Sequence, residues 1–214
     1  MNLHEGIKLQ GAPAIIEDCL RSELPQFLAE TGRMTGAEIG VYKGAFSELF
    51  CKAGLNTYSI DPWMAYDGAG RTPKLQERQD FIFGHTQRLL APYPNSTIVR
   101  KTSMEALADF EDGSLDWVYI DGNHIFRYVA EDIFEWSRKV RPGGIVSGHD
   151  YFNTPPHWSN LLCHVRVVVD AYARLFHIGN WWLFGKQRLR QGSGHPHDHI
   201  PKDDRYYSWM WVKP

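Results

Sequence analysis

This sequence predicts an α/β fold: a doubly wound sheet, mostly parallel with an antiparallel last strand, and helices on both faces. Three observations carry that prediction. Short apolar runs alternate with amphipathic helical runs through residues 34–184, the pattern of repeated βαβ units. Four of those runs end in a glycine turn or an acid, at Gly40, Asp61, Asp121 and His149-Asp150. In open α/β sheets such carboxyl ends of strands are where ligands bind. Finally, no internal repeat or low-complexity linker divides the 214 residues, and that length fits one domain of residues 1–214 with decorations.

Taken in order, residues 14–31 read as a leading helix kinked at Pro25, so residues 1–33 form an N-terminal helical extension. The core, residues 34–184, opens with a strand at 36–40, a helix at 44–53 and a strand at 56–61. A polar loop from Pro62 to Pro73 leads into a helix over 74–90, then the strand Ser96–Arg100. Thr102 and Glu105 form a capping box for a short helix from Met104. A strand over Leu115–Ile120 ends in Asp121-Gly-Asn-His124. The helix after it, 125–139, carries Ile125, Val129, Ile133 and Trp136 at helical spacing. Arg141-Pro-Gly-Gly144 turns into the strand Ile145–Gly148, and a helix over 159–175 follows. Two last strands, 177–184 and 206–212, are joined by a polar stretch, so residues 185–214 form a loop and a final strand.

Composition excludes several classes. A net charge of -2 gives no polyanion-binding signature, so no nucleic-acid partner is expected. Cys19, Cys51 and Cys163 are odd in number and far apart, which argues against a disulfide framework or zinc site and for a reducing compartment. No apolar run approaches the roughly 20 residues that span a bilayer, and the first residues lack a signal peptide's apolar core. The expectation is a soluble, cytoplasmic protein with no membrane partner. A homo-oligomeric state is left open.

The segment from Gly36 to Trp63 carries the strongest functional signal. A strand ends in the turn Gly40-Val-Tyr-Lys-Gly44, a helix follows, and the next strand ends on Asp61 about 20 residues on, where such folds hold a ribose diol. Gly40 permits the sharp turn, and Gly44 is expected to let a ligand approach the helix start. Tyr42 stands where a pyrophosphate-binding loop prefers glycine, which favours a nucleoside cofactor without phosphates. Glu38 agrees, since an acid there suits a cationic amino-acid moiety better than phosphate.

These residues resemble the S-adenosylmethionine-dependent methyltransferases of the Rossmann-like class, in particular the branch that includes sugar and macrolide O-methyltransferases. The resemblance rests on Glu38-Ile-Gly-Val-Tyr-Lys-Gly44 with Ser47, Ile60-Asp61, Thr102-Ser103, Leu115–His124, Arg141-Pro-Gly-Gly144 and Gly148-His-Asp-Tyr151, and covers roughly residues 34–184. It implies S-adenosylmethionine as cofactor and methyl transfer to an oxygen of a small polar acceptor, such as a sugar or natural-product hydroxyl. Glu38, Gly40 and Gly44, with Tyr42 in place of the usual central glycine, would surround the methionine part. Asp61 would take the ribose hydroxyls, Ser103 would lie beside adenine, and Asp121 would face the methionine end and the reacting centre.

Asp121 and Asp150 end neighbouring strands, so their carboxylates converge, and with no obvious lysine or arginine nearby they invite Mg²⁺ or another divalent cation. Catechol-type and several sugar-type O-methyltransferases are similar here, although Tyr151 replaces the asparagine of the catechol-type pattern and leaves the third ligand open. The alternative is that Asp121 contacts only cofactor and Asp150 caps a turn. His149 and His124 are the candidate general bases; His149 could equally be a ligand, and His124 a helix-start residue. Arg188, Arg190 and His195, His197 and His199 lie in a loop read as solvated, although its arginines could hold an anionic acceptor. Two competing readings stand beside methyl transfer: a nicotinamide-dependent oxidoreductase, disfavoured by Tyr42, and a non-catalytic cofactor-binding module.

Overall fold

A computed structural model describes residues 1–65, 76–154, 162–185 and 206–214. Among the described residues eight strands form one sheet: β1 (Ala14–Leu20), β2 (Thr35–Ile39), β3 (Asn56–Ile60), β4 (Ser96–Val99), β5 (Leu115–Ile120), β6 (Val140–Gly148), β7 (Trp181–Gly185) and β8 (Ser208–Val212). Their order across the sheet is β1-β7-β8-β6-β5-β2-β3-β4. All neighbours run parallel except β8, which is antiparallel to both β6 and β7.

Register decides where the site lies. Ile39 pairs with Ile60 on one side and Ile120 on the other, and Ile120 pairs with Gly148. The next residue of each strand is therefore Gly40, Asp61, Asp121 or His149, and parallel pairing places all four along one edge. The ladder continues into them, with Gly40 N–H donating to Ile60 (2.9 Å), Asp121 N–H to Ile39 (2.8 Å) and His149 N–H to Ile120 (3.1 Å).

Helices α1 (Leu3–Gly6), α2 (Leu24–Glu30) and α3 (Ala45–Lys52) cover one face, burying Phe27, Leu28, Phe46 and Phe50 against Trp117, Tyr119 and Trp182. On the other face, α5 (Ser103–Ala106), α6 (Phe126–Lys139) and α7 (Val165–Leu175) bury Ile133, Trp136, Val168 and Val169 against Val118, Val146, Trp181 and Trp209. Alternating side chains thus divide adjacent residues such as Trp181 and Trp182 between two cores. Between α3 and α5, α4 (Gln76–Leu90) packs on α3. No helix among the described residues is long and apolar enough to cross a membrane.

The N-terminal expectation is corrected. Residues 14–20 are a strand, β1, paired in parallel with β7; a 3₁₀ turn over Arg21–Glu23 then leads into α2. Ile16 and Cys19 are both buried, three residues apart, which mimics a helical stripe. The cause is a register shift between Ile15 and Leu20, with Asp18 at φ 59°, that resets which side chains face the core. Pro25 kinks nothing, because it occupies the first turn of α2, where its missing N–H has no intrahelical partner to lose. The Arg141–Gly144 turn likewise falls inside β6, at an irregularity opposite Leu115–Trp117. Helices expected at 74–90 and 159–175 are described as α4 from Gln76 and α7 from Val165, and the last two strands are shorter than read.

Candidate active site

The turn after β2 is built by backbone strain and a clamp. Gly40 has φ 91°, and a Cβ there would lie 2.6 Å from the Asp121 carbonyl carbon and the Gly122 Cα. Only glycine fits so close an approach of two loops. Tyr42 also has positive φ, 52°, and is exposed. Its strained backbone is held on every side: its N–H donates to Asp61 Oδ2 (2.9 Å), and its carbonyl accepts from Trp63 Nε1 (2.8 Å) and Thr86 Oγ1 (2.9 Å). The other oxygen of Asp61 accepts from Trp63 N–H (2.7 Å). Asp61 is thus the clamp between the ends of β2 and β3, a role its sequence position did not reveal. Gly44, at φ 81°, starts α3, and its missing Cβ makes room for the Thr86 methyl of α4, which a Cβ would meet at 2.9 Å.

Glu38 lies inside the sheet, paired with Ser59 and Tyr119, and is buried. Ser59 donates to Ser47 (2.8 Å), and Ser47 donates to Glu38. Burial pushes the Glu38 carboxyl up to about 8, with Asp121 and Asp61 adding to the rise against the opposing pull of Ser47 and Arg21. At neutral pH it is a neutral acid in the floor of the site.

Beyond β5 and β6, Asp121, His124 and Asp150 converge. His124 Nε2 lies 3.0 Å from Asp150 Oδ2 and 3.5 Å from Asp121 Oδ1. Desolvation alone would lower its pKa, but the two carboxylates overcome it and raise it to about 9. Asp121 moves the opposite way: burial raises it, and the imidazoles and Arg21 outweigh burial to leave it lowered. Nδ1 of His149, a buried side chain, lies 3.2 Å from Asp150 Oδ1 and 3.9 Å from Asp121 Oδ2. His149 Nε2 has no hydrogen-bond partner among the described residues.

The absence of a neutralising cation, inferred from sequence, is therefore corrected. His124 is one such cation and Arg21 another, its guanidinium 3.7 Å from Asp121 Oδ2. A metal ion also fits the donor set, since one ligand atom from each of Asp121, His124 and Asp150 lies within 4.8 Å of the others. Two carboxylate oxygens and an imidazole suit a divalent cation. The third ligand left open in the sequence is then His124. Tyr151 is elsewhere, its hydroxyl donating to Asp170 (2.7 Å).

Ser103 opens α5, just past the end of β4. Its hydroxyl donates to Asp132 and accepts from Trp136 Nε1 (2.7 Å), joining α5 to α6. The Thr102–Glu105 capping box forms as expected. Arg188, Arg190, His195, His197 and His199 lie outside the described residues. A cavity of about 730 Å³ runs along β1 and β7 beside α7, lined by Tyr151, Phe152, Arg166, Trp181 and Tyr206 among others. It meets the strand-end cluster through Tyr151, the residue after Asp150, and does not extend to Asp61.

A family described as "Methyltransferase domain" matches residues 37–151, just over half of the chain and the whole strand-end row from Gly40 to Asp150. The chain belongs to this methyltransferase family. Arg21 and β1 lie outside the matched segment. An uncharacterised protein of Sinorhizobium fredii, y4gI, is 30% identical over 119 residues, which are 53% of this chain and 12% of that protein. The chain thus spans about an eighth of that curated relative's length. Among solved structures, the O-methyltransferase TomG from Streptomyces achromogenes, in complex with S-adenosylmethionine, is similar at TM-score 0.55. It is 13% identical, with 91% of this chain and 80% of that one covered. The N-methyltransferase NodS from Bradyrhizobium japonicum is similar at TM-score 0.55 and 14% identity, with 91% and 94% covered. At such identities the likeness is one of fold, a Rossmann-like sheet shared by O- and N-methyltransferases alike.

Proposed function

We propose that this methyltransferase binds S-adenosylmethionine along the Gly40–Asp61–Asp121 edge and methylates an oxygen of a small polar acceptor, a sugar or natural-product hydroxyl. The observation that carries the reading is the position of Asp61: a carboxylate at the end of β3, fixed beside the Gly40 turn by the N–H groups of Tyr42 and Trp63, on the edge that the family match covers. A carboxylate so placed is what a ribose diol at a strand end calls for. Tyr42, with its side chain in the turn, supports a cofactor without pyrophosphate over the nicotinamide reading. We take residues 1–214 as one domain. Three free, buried cysteines support a reducing, cytoplasmic setting, and nothing in the charge balance calls for a nucleic acid. A homo-oligomer is compatible with this reading.

The cofactor, when bound, supplies an electrophilic methyl on a sulfonium. The chain must align the acceptor oxygen, exclude water and take one proton. His124, held as an imidazolium between two acids, is a poor base. His149 is the better assignment, because Nδ1 faces Asp150 and leaves Nε2 for the proton. If Mg²⁺ or another divalent cation binds, Asp121, His124 and Asp150 hold it, and it would lower the pKa of the acceptor hydroxyl.

Calorimetry tests the cofactor. S-adenosylhomocysteine should bind and NADH should not, and Asp61→Ala should weaken binding at least roughly tenfold, as for loss of a charge-assisted hydrogen bond. Unchanged affinity would remove Asp61 from the site, and NADH binding without S-adenosylhomocysteine would overturn the reading. Proton removal is divided by a second experiment, on the acceptor found with a panel of hydroxylated sugars and phenols. His149→Ala should lower turnover by about 10²–10⁴-fold with cofactor affinity retained. Turnover that survives in His149→Ala but vanishes on chelation assigns the step to the metal instead.

A further inference from the structure

We propose that Arg21 binds the α-carboxylate of the cofactor's methionine moiety, pairing with Asp121 to recognise the zwitterionic amino-acid end. The inference rests on the S-adenosylmethionine reading above. It concerns a residue outside the segment that the family match covers.

Arg21 is placed by an element far from the site in sequence. β1 ends with Leu20 opposite Gly185, and Arg21 opens the 3₁₀ turn that follows. Gly185, at φ 89°, has no side chain, and a Cβ there would lie 2.9 Å from Arg21 Cβ and 3.2 Å from its backbone nitrogen. The chain thus crosses closely over the end of β7, on the edge where Gly40 and Asp121 lie. The Arg21 side chain is only 14% exposed. Its guanidinium carbon sits 4.8 Å above the ring of Phe46, in the first turn of α3, and one nitrogen is 3.7 Å from Asp121 Oδ2.

Charge supplies the argument. An amino-acid carboxylate entering this edge meets Asp61 and Asp121, and would be repelled unless a fixed cation stood beside it. His124 is already held between Asp121 and Asp150, and Lys43 is exposed over the Tyr42 ring. Arg21 is beside both Asp121 and the N-terminal turn of α3, whose backbone dipole also favours an anion. The guanidinium nitrogen of Arg21 and Asp121 Oδ2 stand 3.7 Å apart, side by side on this edge. A cation and an anion so spaced match the ammonium and carboxylate of one α-amino acid.

Calorimetry with three ligands tests this: S-adenosylhomocysteine, its decarboxylated analogue, and 5′-methylthioadenosine, which lacks the amino-acid end. Wild-type protein should bind S-adenosylhomocysteine roughly 10–100-fold tighter than the decarboxylated analogue, as expected for losing a charge-assisted pair. Arg21→Met keeps the apolar stem over Phe46. It should lose that preference and leave 5′-methylthioadenosine affinity within about twofold, while Arg21→Lys restores part of the preference. The proposal is overturned if wild type does not discriminate by the carboxylate. It also falls if Arg21→Met weakens all three ligands equally, which would mark a structural role. Wild type that binds none of the three rejects the cofactor reading and this inference with it, whereas binding without carboxylate discrimination rejects this inference alone.

Discussion

Gly40→Ala should cost about 2–5 kcal/mol of stability and abolish S-adenosylhomocysteine binding. Two effects add. A non-glycine residue in the left-handed region costs roughly 1–2 kcal/mol, and overpacking against a fixed neighbour typically costs 1–3 more. Here φ is 91°, and the new methyl would press on the backbone of Asp121 and Gly122, which cannot rotate away as a side chain would. Relief requires the β5 loop to move, and that loop carries Asp121 and His124. Gly54→Ala is the matched control: φ is 83° there, but nothing lies within 4 Å of the added Cβ, so only the conformational cost remains. Urea unfolding of both variants separates the effects. A Gly40→Ala protein as stable as Gly54→Ala would show that the two loops are free to part.

Glu38→Gln should flatten the dependence of stability on pH. The folded carboxyl is raised from 4.5 to about 8, so the unfolded chain loses its proton first as pH rises. Stability is then greatest below about pH 4.5 and falls until about pH 8, above which both states are ionised and the loss is complete. At 1.36 kcal/mol per unit the fall is at most about 4–5 kcal/mol. The amide keeps an acceptor for Ser47 and cannot ionise, so the variant should overtake wild type in melting temperature as pH approaches 8. Asp132, raised by burial to about 7, and His124, raised to about 9, act in the same direction and survive the substitution. Asp132 contributes between about pH 3.8 and 7. The stability that His124 adds is fully present below about 6.5 and disappears as pH passes 9. A residual slope is therefore expected. Equal slopes in the two proteins across pH 5–8 would mean that Glu38 is ionised in the folded state.

The strand-end row was legible because its causes are local. Apolar runs of strand length, each closed by a glycine or an acid, specify where the strands stop. Parallel pairing in register then lines up whatever follows them, so the sequence pattern alone puts Gly40, Asp61, Asp121 and His149 on one edge. The Thr102–Glu105 box was legible for the same reason, since its partners are three residues apart. β1 was misread because a bulge gave a strand the three-residue spacing of a helix, and its partner β7 lies more than 160 residues away. Arg21 was missed with it.

What the sequence alone determined is the set of chemical groups at the ends of the central strands, since backbone pairing rules act on short, contiguous segments. Only the tertiary structure decided how those groups are charged and to what they are bound. Burial makes Glu38 a neutral acid, two convergent carboxylates make His124 a cation, and Asp61 becomes the clamp of a strained turn. An edge strand from the N-terminus brings the guanidinium of Arg21 to Asp121. Each of these depends on desolvation or on charges brought within a few ångströms by the packing of distant segments. Such energies exist only once the chain has closed around the site.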